Sequence, residues 1–599
     1  MKRVLLLLAV LCGLLLCAAV SAEEEIRCGV GSWPVGDLGN HRARVRVEQP
    51  SDAVWAHITW RRRDAAPQDK NVVVVEAASD KRLANVVRAA ITREAGDIIF
   101  QAEAAGEYHI YYMPYTASTE AWAYVTRYSP PQDTADPAWV ARHGLTPDGL
   151  ARETWRNLPR AEVVDIQART DFDRFDPMEV IATAAEIEDL LARNRGAYLL
   201  FPEDREHPIR MTNDLPLRWI RSGPRAEFAG TAQRGEFYAF QVGVYAARKP
   251  IDGLGVTFTD LRSSKGKLIA AKSFRCFNLG GRDWLGREFA KPFALAAGKV
   301  GPLWFGIEVP DDAAAVEYHG VLTLRPRGLP ASTVKLSLTV TSEAARHHGD
   351  DDLWRQARLR WLDSTIGLDD EVVAPYTPLR VRGRMVECLN RAVRFAESGL
   401  PEAIISNGHQ ILARPIGVVV ESAGSDKGAR LAWRGGKVKV VARAPGAVAL
   451  ESENTAAGMR MTCRAKMECD GYINYRVALR AQKAMAMRDI RLEIPIRREV
   501  ATYMMGLGRT GGYRPKQWQW TWDIARANNS VWIGEVTAGL YCKLKDPQDS
   551  WTLGSLQEAG LPDAWSNGGK GGCIVAEEGN DEVLVRAYSG ERKLKAGET

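Results

Sequence analysis

The stretch from Tyr513 to Trp532 concentrates the side chains best suited to holding a ligand. Trp518, Trp520 and Trp522 recur at period two, which on a strand sets all three rings on one face. Exposed beside Tyr513, such a row could stack on the apolar faces of sugars. Asp523 and Glu535 could then accept hydrogen bonds from sugar hydroxyls. The commoner use of such rings is a filled core. Asp470, Asp523 and Glu535 are also the acids a glycosidase site in this region would draw on. That chemistry needs two carboxylates held a few ångströms apart across a pocket.

Other motifs carry less. Gly506-Leu507-Gly508-Arg509-Thr510-Gly511 matches the letters of a dinucleotide-binding loop. Tyr513, Arg514 and Pro515 follow it where a helix N-terminus would have to hold the pyrophosphate, so the glycines read as a loop between strands. His347-His348 and Asp350-Asp351-Asp352 could hold a divalent cation, but a solvated linker is the simpler reading. In Asp369-Asp370-Glu371 and Asp581-Glu582 the acids are adjacent, and strand neighbours point to opposite faces. His409 sits alone in the turn Asn407-Gly408-His409, where a base is one use and a structural histidine the commoner one. After Cys12 and Cys17 of a leader, seven cysteines remain: 28, 276, 388, 463, 469, 542 and 573. Their wide spacing, without a CxxC pair, gives no zinc or other cofactor signature. Cys463 and Cys469, six residues apart on one strand, stand about 20 Å apart and cannot bond to each other.

The elements that must position these groups are strands. Ala43, Val45 and Val47 alternate with Arg42, Arg44 and Arg46, the pattern of a half-buried strand. Met461, Cys463, Ala465 and Met467 alternate with Thr462, Arg464, Lys466 and Glu468. Ile490, Leu492, Ile494 and Ile496 do so across Pro495, which argues for an edge or a bulge. Asp176-Pro177 predicts a helix start, followed by Ile181, Ala184, Ile187, Leu190 and Leu191 at helical spacing. Leu353, Trp354, Ala357 and Trp361 predict one face of a short helix. The expected organisation is a leader over 1–22, a β-sandwich over 23–125 and a helical connector over 126–210. An Ig-like β-sandwich follows over 211–345, then a linker helix over 346–375 and a large β-sandwich over 376–599. No strand–helix–strand alternation of the α/β-barrel kind occurs.

With 46% hydrophobic and 26% charged residues the chain is ordinary globular material, which excludes disorder as its main state. Its formal net charge is +6, too dilute over this length for a nucleic-acid footprint. Lys2 and Arg3 precede an uncharged run from Val4 to Val20, and Val20-Ser21-Ala22 offers small residues for cleavage. A signal peptide, secretion or periplasmic export, and no membrane span after cleavage are therefore expected.

Leu359 to Val381, Met504 to Asp523 and Ser530 to Asp546 resemble large secreted bacterial glycoside-hydrolase-like proteins related to glycoside hydrolase family 123. Arg234-Gly235-Glu236 with Phe240-Gln241-Val242 resembles the sandwich that precedes the barrel in that group. Trp304, Val309-Pro310, Tyr318 and Gly320 to Thr323 resemble a later strand pair, with Val316 where the group has glycine. The resemblance implies tandem β-domains leading into a (β/α)8 barrel that carries an Asp-Glu pair. In family 123 that pair acts on β-N-acetylgalactosaminides by substrate-assisted chemistry. This sequence ends at Thr599, and a barrel needs roughly 250 residues, so the barrel's carboxylates have no counterpart here.

The expected fold is mainly β: tandem sandwiches, a small helical connector, and a large C-terminal sandwich of the supersandwich type. The expected function is the non-catalytic β-domain portion of an exported glycoside-hydrolase-like polypeptide. It would bind or position a polysaccharide or glycoconjugate, beside a barrel that is separately encoded or split away. One alternative is a self-sufficient glycoside hydrolase with its site in 376–599. Another is a structural or adhesive envelope protein, for which the aromatic row would be fully buried.

Overall fold

The structure is a computed structural model that describes residues 27–34, 36–120, 123–283, 286–423, 429–522, 529–545 and 563–599. The leader and Asp523 lie outside the described residues. The chain divides into two compact units, Met1–Ser364 and Thr365–Thr599, and both are built mainly of strands. Among the described residues no (β/α)8 barrel forms, and no helix is long and apolar enough to cross a membrane.

The first unit opens with a sandwich. Its larger sheet runs in the order Cys28–Val30, Glu162–Ala168, His41–Val47, Gly106–Tyr111, Val73–Glu76. Ser51–Ile58, Gly96–Ala102 and Val86–Ile91 form the other. Ala43, Val45 and Val47 are buried with Val54, Ala56, Ile98 and Phe100 from the opposing sheet, as the alternation predicts. On the outer face Arg44 bridges Asp165 at 2.7 Å and Glu107 at 3.2 Å, a cross-strand charge ladder. Arg42 is the exception among the outward arginines. It is 9% exposed, lies over the Trp33 ring and gives two hydrogen bonds to Gln167.

The segment 126–210 departs from a purely helical connector, because Glu162–Ala168 is a central strand of the first sheet. Ile166, Gln167 and Ala168 are its only buried residues and stand consecutively, so the strand has no long alternation and its partners decide its state. Asp176 makes a turn by accepting from Met178 N at 2.8 Å, and the helix starts later, at Ala184–Arg193. Thr183 and Glu186 form a reciprocal capping box there, which satisfies two orphan N–H groups at the helix start.

A second sandwich follows. Leu199–Glu203, Phe237–Tyr245, Val300–Glu308 and Phe274–Cys276 form one sheet. The other is led by Glu227–Arg234, which runs parallel to Ser332–Ala344, with Glu317–Pro326 next in order. Phe240, Phe305, Tyr318 and Leu338 lie in its core. The expected linker helix over 346–375 is absent. Two 3-10 turns, Arg346–Gly349 and Arg358–Trp361, stand in its place, and Leu353 is 91% exposed. So short an amphipathic pattern does not hold a helix without a surface to bury against.

The second unit contains only antiparallel pairings in its described sheets. Lys439–Arg443, Ala447–Ala456, Met459–Glu468 and Ile473–Ala481 form one sheet, and Met461, Cys463, Ala465 and Met467 turn inward as the alternation predicts. A second sheet runs Gly417–Ser422, Met485–Arg497, Glu582–Tyr588, Gly572–Glu578, Gln517–Thr521. Pro495 stands at a break in pairing between the Gly417–Glu493 pair and the Leu412–Ile496 bridge, where its carbonyl accepts from Ala413 N at 3.0 Å and the irregular ladder tolerates its missing N–H. A smaller sheet of Tyr503–Gly506, Ser530–Gly534 and Gly539–Lys543 packs its inner face on the same core.

Candidate functional site

The strand Gln517–Thr521 sends Trp518 and Trp520 to one face and the exposed Gln517 and Gln519 to the other. That face is the core. Trp520 is 5% exposed and packs with Ile494, Val575 and Val585. Trp518 is half-buried, donates from Nε1 to Leu507 O at 3.0 Å, and lies under the Arg509 guanidinium at 5.1 Å. Trp522 meets Trp520 edge-on, with ring centres 4.9 Å apart. The strand therefore fills a core and offers no ring platform to solvent. Leu507 and Gly508 both have positive φ, with Gly506 and Arg509 hydrogen-bonded across them. The glycine motif is thus a tight hairpin turn of the primed type and not a phosphate loop.

Tyr513 is placed differently. It is 75% exposed and its ring lies 5.1 Å from that of Tyr503 on the smaller sheet. A hydrogen bond between the two hydroxyls raises the pKa of Tyr503. The outer face of that sheet carries a row the sequence reading missed. Met505 pairs with Trp532, and Trp532 with Tyr541, so three adjacent strands set these side chains in line. Met505 is 50% and Tyr541 59% exposed, while Met504 and Ile533 behind them are fully buried. The signal lay in the phase. In Ser530–Gly534 and Gly539–Lys543 the aromatic residues alternate with Val531, Ile533, Leu540 and Cys542, which claim the core side. Trp518 and Trp520 alternate with glutamines, which sends them inward.

Glycines lay the Trp532 indole down. A Cβ on Gly534 would come within 2.6 Å of its Cζ2, and one on Gly539 within 2.9 Å of its Nε1. The ring therefore rests over these two backbones, and Nε1 has no hydrogen-bond partner among the described residues.

Beyond Gly534 the hairpin tip holds Glu535, Val536 and Thr537, closed by Glu535 N donating to Ala538 O at 2.8 Å. The Thr537 hydroxyl donates to Glu535 Oε1 and stands 3.4 Å from Nε2 of His409. His409 Nδ1 is 3.9 Å from the same carboxylate. Asn407 binds the two hairpins together by donating from Nδ2 to Thr537 O at 2.8 Å. Asn407 and Gly408 have positive φ, so the Asn-Gly pair makes a primed hairpin turn that brings His409 to the tip. Beside it lies an open hollow of about 540 Å³ lined by Cys388, Asn390, Arg391 and Asn407.

Other described acids are engaged elsewhere. Asp370 pairs with Lys466 at 2.8 Å, and Glu582 with Arg414 at 3.1 Å. The carboxylate of Asp470 caps its own turn, accepting from Tyr472 N at 2.8 Å. Asp350 pairs with Arg360, and Asp352 with Arg355, so the acids after His347-His348 are met by arginines. Glu203, Asp204 and His207 of the first unit bring their ligand atoms within 4.8 Å of one another. Glu203 already accepts from Trp219 Nε1 at 2.8 Å, with Arg218 and Arg225 at 3.6 and 3.5 Å, so two guanidiniums stand where a cation would. Cys276, Cys388, Cys463, Cys469, Cys542 and Cys573 are free thiols. Burial pushes Cys542 up to about 11 and Cys573 up to about 12, so neither is a nucleophile at neutral pH.

No curated protein matches the chain. Among solved structures, a family 123 glycoside hydrolase from Clostridium perfringens aligns at 14% identity with a TM-score of 0.20, over 25% of this chain and 28% of that one. The fimbrial subunit MyfA from Yersinia enterocolitica, solved with galactose, aligns at 12% identity and a TM-score of 0.15, over 24% of this chain and 98% of its own. Overlaps of this size fix nothing about activity. Family models are more specific. Residues 31–169 match the N-terminal domain of glycoside hydrolase 123, a span that takes in the strand Glu162–Ala168, and residues 379–599 match its third domain. On these two domains, set in a mainly-β fold, the chain is a relative of glycoside hydrolase family 123.

Proposed function

We propose that the chain is the non-catalytic β-domain portion of an exported glycoside-hydrolase-like polypeptide, and that it binds or positions a polysaccharide for a catalytic barrel. The observation that carries this reading is the kind of domain matched. The spans that match the family's N-terminal and third domains are both built of β-sheets in this chain. Of the described acids, Asp370 is tied to Lys466, Glu582 to Arg414 and Asp470 to its own turn, and Glu535 has Thr537 and His409 as its described neighbours. Export rests on the basic, apolar and small-residue order of residues 1–22.

A glycan array probed with residues 23–599, with reducing-sugar release followed on every hit, tests the proposal. Binding without release is the expected result. Release that disappears in Asp523→Asn would place a hydrolytic site within 376–599. A structural or adhesive role is favoured by one observation, the burial of Trp520, since that role expects the tryptophan row inside. It predicts no glycan affinity at all.

A further inference from the structure

We infer that Met505, Trp532 and Tyr541 form a stacking platform for the flat face of a linear, equatorially linked pyranose chain. The inference rests on the glycan-binding reading above and gives it a site and a ligand shape. Three adjacent strands make the row about 10 Å wide, room for two linked rings. Gly534 and Gly539 let the Trp532 indole lie along the sheet, so the platform is flat and not a cleft. A flat surface suits a ribbon-like chain whose C–H faces alternate, and it fits a coiled α-linked chain poorly. The rim is polar. Trp532 Nε1 has no partner among the described residues, and Glu535, Thr537 and His409 cluster at the tip beside the glycines. An aromatic plane edged by hydrogen-bonding groups suits a polyhydroxylated ligand better than an apolar protein surface. Tyr513, tilted against Tyr503 with ring centres 5.1 Å apart, extends the aromatic area on the strand beside Gly534.

Residues 23–599 are titrated with cellohexaose, chitohexaose and maltohexaose, as wild type, Trp532→Ala, Tyr541→Ala and, as a control in the first unit, Phe172→Ala. Hydroxyl-radical footprinting of the wild type runs alongside. Wild type should bind at least one β-linked hexaose and not maltohexaose. Trp532→Ala should weaken that binding about tenfold or more, Phe172→Ala should leave it unchanged, and Trp532 and Tyr541 should be protected by ligand. Footprinting needs no variant, so it decides the matter if Trp532→Ala fails to fold. Several results overturn the inference: β-glycan binding indifferent to Trp532→Ala with no protection at Trp532, equal affinity for maltohexaose, or a wild-type dimer that Trp532→Ala makes monomeric. The first of these leaves the glycan-binding reading standing. A wild-type chain that binds no glycan here or on the array overturns both.

Discussion

Trp520 gives nearly all of its surface to the core of the second unit, and its Nε1 is buried without a partner among the described residues. Its worth is therefore packing. Trp520→Ala should destabilise the protein by about 3–5 kcal/mol through lost transfer energy and the cavity left behind, read as a lower urea midpoint. The glycan affinity of the molecules that remain folded should not change. Trp532 stands in the opposite position, lying across two glycines with its flanking neighbours half in water, so its truncation should cost binding and little stability. The two side chains are identical, and only the phase of their neighbours separates them.

At the scale of the element, the hairpin Pro401–Ser406 to His409–Gln410 shows how a turn builds a site. Asn407 holds φ at 48° and Gly408 at 82°, which a primed two-residue turn requires. Asn407 also donates to Thr537 O at 2.8 Å, fixing one hairpin tip to the other. Asn407→Ala should cost about 1–2 kcal/mol, from left-handed strain and one lost hydrogen bond. Faster amide exchange at the 535–538 turn would report the loosened tip, and unchanged exchange would show that the contact holds nothing. Phase within an element was legible in the sequence, as Ala43, Val45 and Val47 show. Pairing between elements was not. Glu162–Ala168 buries few residues deeply, and only its two neighbouring strands make it central.

For the whole molecule, the division at Ser364 predicts two unfolding transitions by calorimetry. One of them should respond to acid through Arg491. This side chain, 9% exposed, bridges Glu421 at 2.8 Å, Glu493 at 2.9 Å and Asp489 at 3.2 Å. The hydrogen bond from Arg491 lowers the pKa of Glu421 against a smaller effect of burial. Burial pushes Glu493 up, but hydrogen bonds from Arg491 and Arg414 outweigh it and the net shift is downward. A folded pKa below the unfolded one gives stability that is complete above about pH 4.5 and is lost as pH falls through the folded values. The transition of the second unit should therefore drop below about pH 4.5. Arg491→Met should cost that unit about 3–5 kcal/mol at neutral pH, by leaving Glu493 buried with half its partners gone. It should also flatten the acid limb. A shift of both transitions together would show that the two units unfold as one.

The sequence by itself determined the mainly-β class, the inward faces of His41–Val47 and Met459–Glu468, the break in pairing at Pro495 and the relation to glycoside hydrolase family 123. These follow from local alternation, from proline's missing N–H and from contiguous motifs. Only the tertiary structure decided which aromatic residues face water, that His409 and Glu535 meet at one tip, and that Asp350, Glu582, Asp370 and Asp470 are met by arginines, a lysine or a turn. Those outcomes depend on which strands pair and which loops approach from far along the chain. A period-two pattern says that a strand has two faces, and the packing of the sheets says which face is the inside.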